Sequence, residues 1–259
     1  MDIVACIKRV PDTSETDDIK IDASGKDIEK SNLAFKLNDW DEYVLETAAQ
    51  LKEKLGGSFT AISVGPKVWE EVLRRALAMG ADKAIRVDED VVSLDPGCVA
   101  RILSKVIEGL RYDLILFGAQ SEDFGSGQLG AMVAEMLGVP HATLVVSLET
   151  EGKVIHVCRE LEAGALEAYS IELPALLTIQ TGINRPRYIS LGGIKRAMKA
   201  ELKVISLDNL GLSLNGLTQE LKLERLEFPH RGKEAVIISG LPRESAEKLA
   251  HILYSSGIF

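Results

Sequence analysis

Four short runs dominated by Val, Ile, Leu and Ala, each separated from the next by a helix-length amphipathic stretch, constrain this chain more than any other feature. The runs are Asp2–Ile7, Ser58–Val64, Ala84–Val87 and Asp113–Phe117. Strands that are apolar along almost their whole length, rather than at alternate positions, are strands covered on both faces. Between them, Asp39–Leu55 repeats Trp40, Val44, Ala48, Leu51 and Leu55 at helical spacing. Asp39 with Glu42 reads as a capping box and Gly56-Gly57 as the stop. Val68–Met79 turns Trp69, Val72, Leu73 and Ala76 inward. Asp95-Pro96 reads as an N-cap followed by proline at the first helical position, and a fourth helix is expected over Gly127–Leu137. Alternation at this spacing predicts an α/β fold with a parallel, twisted sheet and right-handed crossovers. Ligands of such sheets sit beyond the carboxyl ends of the strands. The loops after Ile7, Val64 and Phe117 are therefore the candidate site.

The pattern changes after His141. Leu144–Glu149, Lys153–Arg159, Ala168–Ile171 and Ala175–Gln180 read as strands of an antiparallel extension of the same sheet. From Gly182 to Lys203 the chain turns basic, with Arg185, Arg187, Lys195, Arg196, Lys199 and Lys203, which predicts an exposed segment facing an acidic partner. Leu207–Arg231 reads as irregular and Pro242–Tyr254 as a last amphipathic helix. The expected division is residues 1–206 as the nucleotide-binding domain and 207–259 as a C-terminal arm.

Bulk properties narrow the class. The 259 residues are 46% hydrophobic, enough for a large core, and carry a net charge of −9. That charge disfavours nucleic acid and anionic membranes as partners. No apolar run approaches the ~18–20 residues of a membrane span. The start, with Asp2 early and Lys8-Arg9 after the apolar run, lacks the order of a secretory signal. Cys6, Cys98 and Cys158 are far apart and in no CxxC spacing, so a reducing, cytoplasmic setting is expected. His141, His156, His230 and His251 are scattered, which predicts no metal site. No Ser is framed as GxSxG, and no acid–base pair stands out. An enzyme with its own active site is not expected.

The strongest constellation is Gly118–Gly130, a glycine-rich loop that follows a buried strand and opens a helix. Glycines allow close backbone approach, and free N–H groups at a helix start favour phosphate. It is neither a Walker loop nor a first-strand GxGxxG; by spacing alone it reads as a phosphate cradle or as a turn with no ligand. Lys8 and Arg9 read either as cations facing a ligand or as solvated charges. Asn38-Asp39 reads either as a contact to adenine or ribose or as a helix cap.

Taken in order, Ala5-Cys6-Ile7-Lys8-Arg9-Val10-Pro11-Asp12, Asn38-Asp39, Val64-Gly65-Pro66, the run Arg75–Asp82, Gly127-Gln128, Arg159-Glu160 and Pro186-Arg187-Tyr188 resemble the beta subunit of electron transfer flavoprotein over nearly the whole chain. The resemblance implies an adenine-nucleotide α-hydrolase-like fold without hydrolase activity, paired with an alpha subunit that holds most of an FAD. It implies AMP in this subunit or, in bifurcating members, a second FAD that takes electrons from NADH. By position it places the nucleotide against Cys6, Lys8, Asn38, Asp39, Asp41 and Val64, and against the loop at Gly118, Gln120, Asp123, Gly125, Ser126, Gly127 and Gln128. It makes 182–203 a docking loop for an acyl-CoA or similar dehydrogenase, with Leu191 as the apolar anchor beside Arg187 and Lys195. It puts Arg9 and Glu160 at the subunit interface, and a quinone-linked acceptor downstream. The Gly118–Gly130 loop is shorter than in familiar members, and Thr13 stands where some place an aromatic.

Overall fold

The computed structural model describes residues 1–14, 19–90, 94–229 and 235–258. Internal contacts divide the chain into Met1–Arg225 and Leu226–Phe259. The first unit opens with β1 (Asp2–Cys6), two short strands, β2 (Arg9–Pro11) and β3 (Phe35–Leu37), and α1 (Asp39–Leu55). It continues through β4 (Ser58–Val64), a 3-10 turn at Lys67–Trp69, α2 (Glu70–Met79), β5 (Lys83–Val87), α3 (Pro96–Glu108), β6 (Leu114–Gly118) and α4 (Leu129–Leu137). A meander follows, β7 (His141–Glu151), β8 (Val154–Glu160) and β9 (Leu166–Glu172). The unit's last regular elements are β10 (Ala175–Ile179), α5 (Leu191–Lys199) and β11 (Leu202–Ile205). The second unit holds α6 (Pro242–Ser255).

Nine of the described strands form one sheet in the order β11-β5-β4-β1-β6-β10-β7-β8-β9. Every pairing from β11 to β7 is parallel; β7-β8 and β8-β9 are antiparallel. The continuous apolar runs have a simple cause. Ile3, Ala5, Leu114 and Leu116 face one core layer with α1 and α2, while Val4, Cys6, Ile115 and Phe117 face the other with α3 and α4. A strand buried on both faces cannot alternate polar with apolar residues.

Three expectations need correction. Ala175–Ile179 does not belong to the antiparallel extension: it lies between β6 and β7, parallel to both, and all five residues are buried. A fully apolar strand belongs in the sheet interior, so the chain returns to that slot after the meander. The basic stretch 182–203, expected as an exposed docking loop, contains a helix and an edge strand, α5 and β11. Asp39 and Glu42 do not form a capping box. Asn38 is the N-cap and makes no side-chain cap bond; Asp39 pairs with Lys36 at 2.8 Å and Glu42 with Arg75 at 2.6 Å. The expected Asp95 cap is present, with its carboxylate accepting from the Cys98 N–H at 2.7 Å. The last residues of the expected irregular stretch, 230 and 231, lie outside the described residues.

Candidate functional site

Strand β1 is central, with β4 and β5 on one side and β6 on the other. The chain therefore reverses its winding across β1, and the carboxyl ends of β1, β4 and β6 leave a crevice there. A cavity of about 180 Å³ occupies it, bordered by Cys6-Ile7-Lys8, Ser63-Val64 and Phe117-Gly118, which end those strands. One wall is apolar, with Ile62, Val64, Trp69, Leu94, Val99 and Leu103; the other is built from α1's start and the loop after β6.

Asp41 organises the polar wall. It is 3% exposed. Its carboxylate accepts the Lys8 backbone N–H at 2.7 Å and a second bond from the Gly118 backbone. It thus ties the end of β1 to the end of β6. Gly118 has no side chain because a Cβ there would stand 2.5 Å from Asp41 Oδ1 and 2.8 Å from Trp40 Cβ. Burial raises the Asp41 carboxyl to about 7, although the Lys8 and Gly118 backbone bonds, Asn38 and the Lys8 charge all act to lower it. Burial, with Asp41 adding to it, pushes the Cys6 thiol well above its ordinary value. Cys6 is a neutral wall residue, not a nucleophilic thiolate.

The Asn38 side chain does not cap α1. Its Nδ2 donates to the Gln120 carbonyl at 2.9 Å and its Oδ1 accepts the Glu122 N–H at 3.1 Å. The side chain holds the glycine loop instead of capping α1. Short strands β2 and β3 bring this about, because their pairing and the Asn38 N–H bond to the Lys8 carbonyl at 3.0 Å set α1's start beside the end of β1. Lys8 Nζ pairs with Asp123 at 2.7 Å and lies 4.5 Å from the Phe124 ring centroid. The loop backbone turns through positive φ at Gly125 and Gly127. Gln128 is the N-cap of α4 and makes no side-chain cap bond. The first N–H groups of that helix therefore lie next to a cavity wall formed by Ser126, Gly127, Gln128 and Leu129.

Of the residues expected at the site, Cys6, Lys8, Asn38, Asp41, Val64, Gly118, Gln120, Asp123, Ser126, Gly127 and Gln128 line this one cavity. Asp39 and Gly125 do not. Of the apolar wall, Val64 was expected; Ile62, Trp69, Leu94, Val99 and Leu103 were not. Ser63, another wall residue, has a buried hydroxyl without a hydrogen-bond partner among the described residues. No group of His, Cys, Asp and Glu suited to a metal ion occurs among the described residues.

The remaining candidates lie elsewhere. Leu191 opens α5 and is 79% exposed, and Lys195 is exposed on the same helix. Arg187 forks onto Glu46 and Glu53 of α1, with Nε 2.8 Å from Glu46. Burial acts against it, but the bonds from Arg187 hold the Glu46 carboxyl below its usual range. Arg9 pairs with Glu71 and lies 4.0 Å from the Phe35 ring centroid. Glu160 accepts from Gln180 Nε2 at 3.5 Å, and Gln180 Oε1 accepts from the Trp40 indole at 2.7 Å.

The fold and the cavity define an α/β protein of the parallel, switch-point type, with a glycine-rich loop opening onto the crevice. The electron transfer flavoprotein domain family matches residues 27–210. The chain is 37% identical to the electron transfer flavoprotein subunit beta of Methylophilus methylotrophus and 36% identical to that of Bacillus subtilis, each over 98% of both chains. It is 35% identical to the human subunit beta over 88% of both. The chain belongs to the electron transfer flavoprotein family, as a beta subunit. Membership makes it an electron-carrier subunit rather than an enzyme, and implies a flavin and an alpha-subunit partner. No described helix is long and apolar enough to cross a membrane.

Proposed function

We propose that this beta subunit holds AMP in the cavity at the ends of β1, β4 and β6, while its alpha partner holds most of the FAD that carries electrons. The carrying observation is the cavity's division. An apolar wall suits a flat base, and the opposite wall presents Lys8, Ser126, Gln128 and the start of α4, which suit a phosphate. When bound, the flavin supplies the redox chemistry. This chain's part is positional: Asp41 and Asn38 fix the loop, and Lys8 offsets negative charge once Asp123 gives way.

Docking to an acyl-CoA or similar dehydrogenase is assigned to α5. Leu191, Ile194 and Met198 are exposed at helical spacing, beside Lys195, Arg196 and Lys199. An apolar anchor with a basic rim provides burial and steering together. Arg187, engaged by α1, holds the segment that leads into the helix. Arg9 and Glu160 are assigned to the alpha-subunit interface, and α6 to packing on that partner. Onward delivery to a quinone-linked acceptor follows the same scheme. The three free thiols fit a cytoplasmic setting.

The test is the identity and stoichiometry of small molecules released by denaturing the co-purified heterodimer. One FAD and one AMP per complex are expected. No adenine nucleotide beyond the FAD would overturn the reading. Two flavins, with reduction by NADH, would replace it with the bifurcating form.

A further inference from the structure

Trp69, expected to face inward from a helix over Val68–Met79, instead ends the 3-10 turn Lys67–Trp69 and belongs to neither core layer. Its indole N–H makes no hydrogen bond among the described residues. The ring packs against the chain at Gly65, where a Cβ would come within 2.3 Å of both Cδ2 and Cε3. The same indole forms part of the cavity's apolar wall, next to Val64, Leu94 and Val99.

The backing of this ring is rigid. The Gly65 carbonyl accepts from the buried Arg86 guanidinium at 2.8 Å, and the Gly65 N–H donates to the Val87 carbonyl at 3.0 Å. Arg86 is held in turn by Glu70 at 3.2 Å and by Asp88. A large aromatic surface on an immobilised turn, facing a cavity and left out of the core, is preorganised to receive a flat ring.

We propose that Trp69 is the stacking surface for the base of the nucleotide in this cavity, with the Gly65 turn and Arg86 as the support that positions it. This rests on the nucleotide reading of the cavity. It specifies the ligand class at that end as a purine or comparable flat heteroaromatic ring, and it makes Trp69 a determinant of affinity.

The experiment compares wild type, Trp69→Phe and Trp69→Leu as intact heterodimers with the alpha subunit, dialysed free of nucleotide and titrated with AMP. Trp69→Leu is expected to bind about ten-fold more weakly or worse, and Trp69→Phe within about three-fold of wild type. AMP is also expected to change the tryptophan emission of the wild type, and this change is expected to vanish in Trp69→Phe. That second reading stands even if Trp69→Leu fails to assemble, and a purely structural Trp69 would not produce it. Wild-type binding of AMP with emission unaltered, or altered equally in Trp69→Phe, overturns the proposal while leaving the nucleotide site intact. So does a Trp69→Leu heterodimer that binds AMP as tightly as wild type. A wild type that binds no AMP overturns both readings.

Discussion

At the residue scale, a carboxylate buried at a cavity edge is costly unless donors satisfy it. Asp41 meets that requirement with the backbone of Lys8 and Gly118, yet burial still raises it to about 7. A carboxyl raised in the folded state contributes most below its unfolded pKa, about 3.9, and that contribution is lost as pH rises through the folded value. Wild type should therefore lose stability relative to Asp41→Asn between about pH 5 and pH 8, read as urea midpoints. An equal gap at both pH values would contradict this. Gly118 tests the same contact from the other side. A methyl group there meets Asp41 Oδ1 at 2.5 Å, so Gly118→Ala should destabilise by about 1–3 kcal/mol and loosen the glycine loop. Chemical denaturation measures the first effect. The sequence showed Gly118 and Asp41 as loop and helix-start residues, but it did not show that they touch. They are 77 positions apart, and only the parallel pairing of β1 with β6 brings them together.

At the element scale, α3 starts at Asp95, whose carboxylate accepts from Cys98 and from the Glu220 and Leu221 N–H groups at 2.6 and 3.0 Å. Burial raises this group, but the backbone bonds outweigh burial and bring it to about 2. A lowered carboxyl contributes its stability above the unfolded pKa and loses it as pH falls toward 2. Asp95→Ala should cost about 1–2 kcal/mol at neutral pH, and the difference from wild type should shrink on acidification below about pH 4. An acid titration of the unfolding midpoint reads this.

Helix α5 shows what pattern reading misses. Ser190 caps it by accepting the Gly193 N–H at 3.0 Å, and Gly193 and Ala197 form its small buried face. That face is too small to register as an apolar stripe, so the basic residues dominated the reading. Gly193→Val would place a side chain where Cβ alone lies 2.6 Å from the Ala78 carbonyl oxygen. It should cost about 1–3 kcal/mol and speed hydrogen exchange across 191–199. On the proposed docking role, Leu191→Ala should leave stability within about 0.5 kcal/mol while weakening association with an acyl-CoA or similar dehydrogenase.

For the whole molecule, α6 lies in the unit Leu226–Phe259, and Leu249, Ile252 and Tyr254 on it are exposed in the chain by itself. Such exposure is expected of a surface completed by a partner. Hydrogen exchange across 242–255 should slow markedly when the alpha subunit binds, and unchanged exchange would remove α6 from the interface. The parallel α/β class, most strand and helix positions and the region of the cavity were legible in the sequence alone. Hydrophobic periodicity and helix stop signals are local properties, and the motifs that marked the family are local as well. The sheet's interior order, the small-residue seam of α5 and the apolar wall with Trp69 were decided by tertiary structure. Each depends on contacts between segments far apart in the chain, and no local pattern encodes which distant backbone a glycine lets come near. The glycine loop belongs to both levels: its composition was readable, but its place against Asn38, Asp41 and Lys8 exists only once β1, β4 and β6 lie side by side.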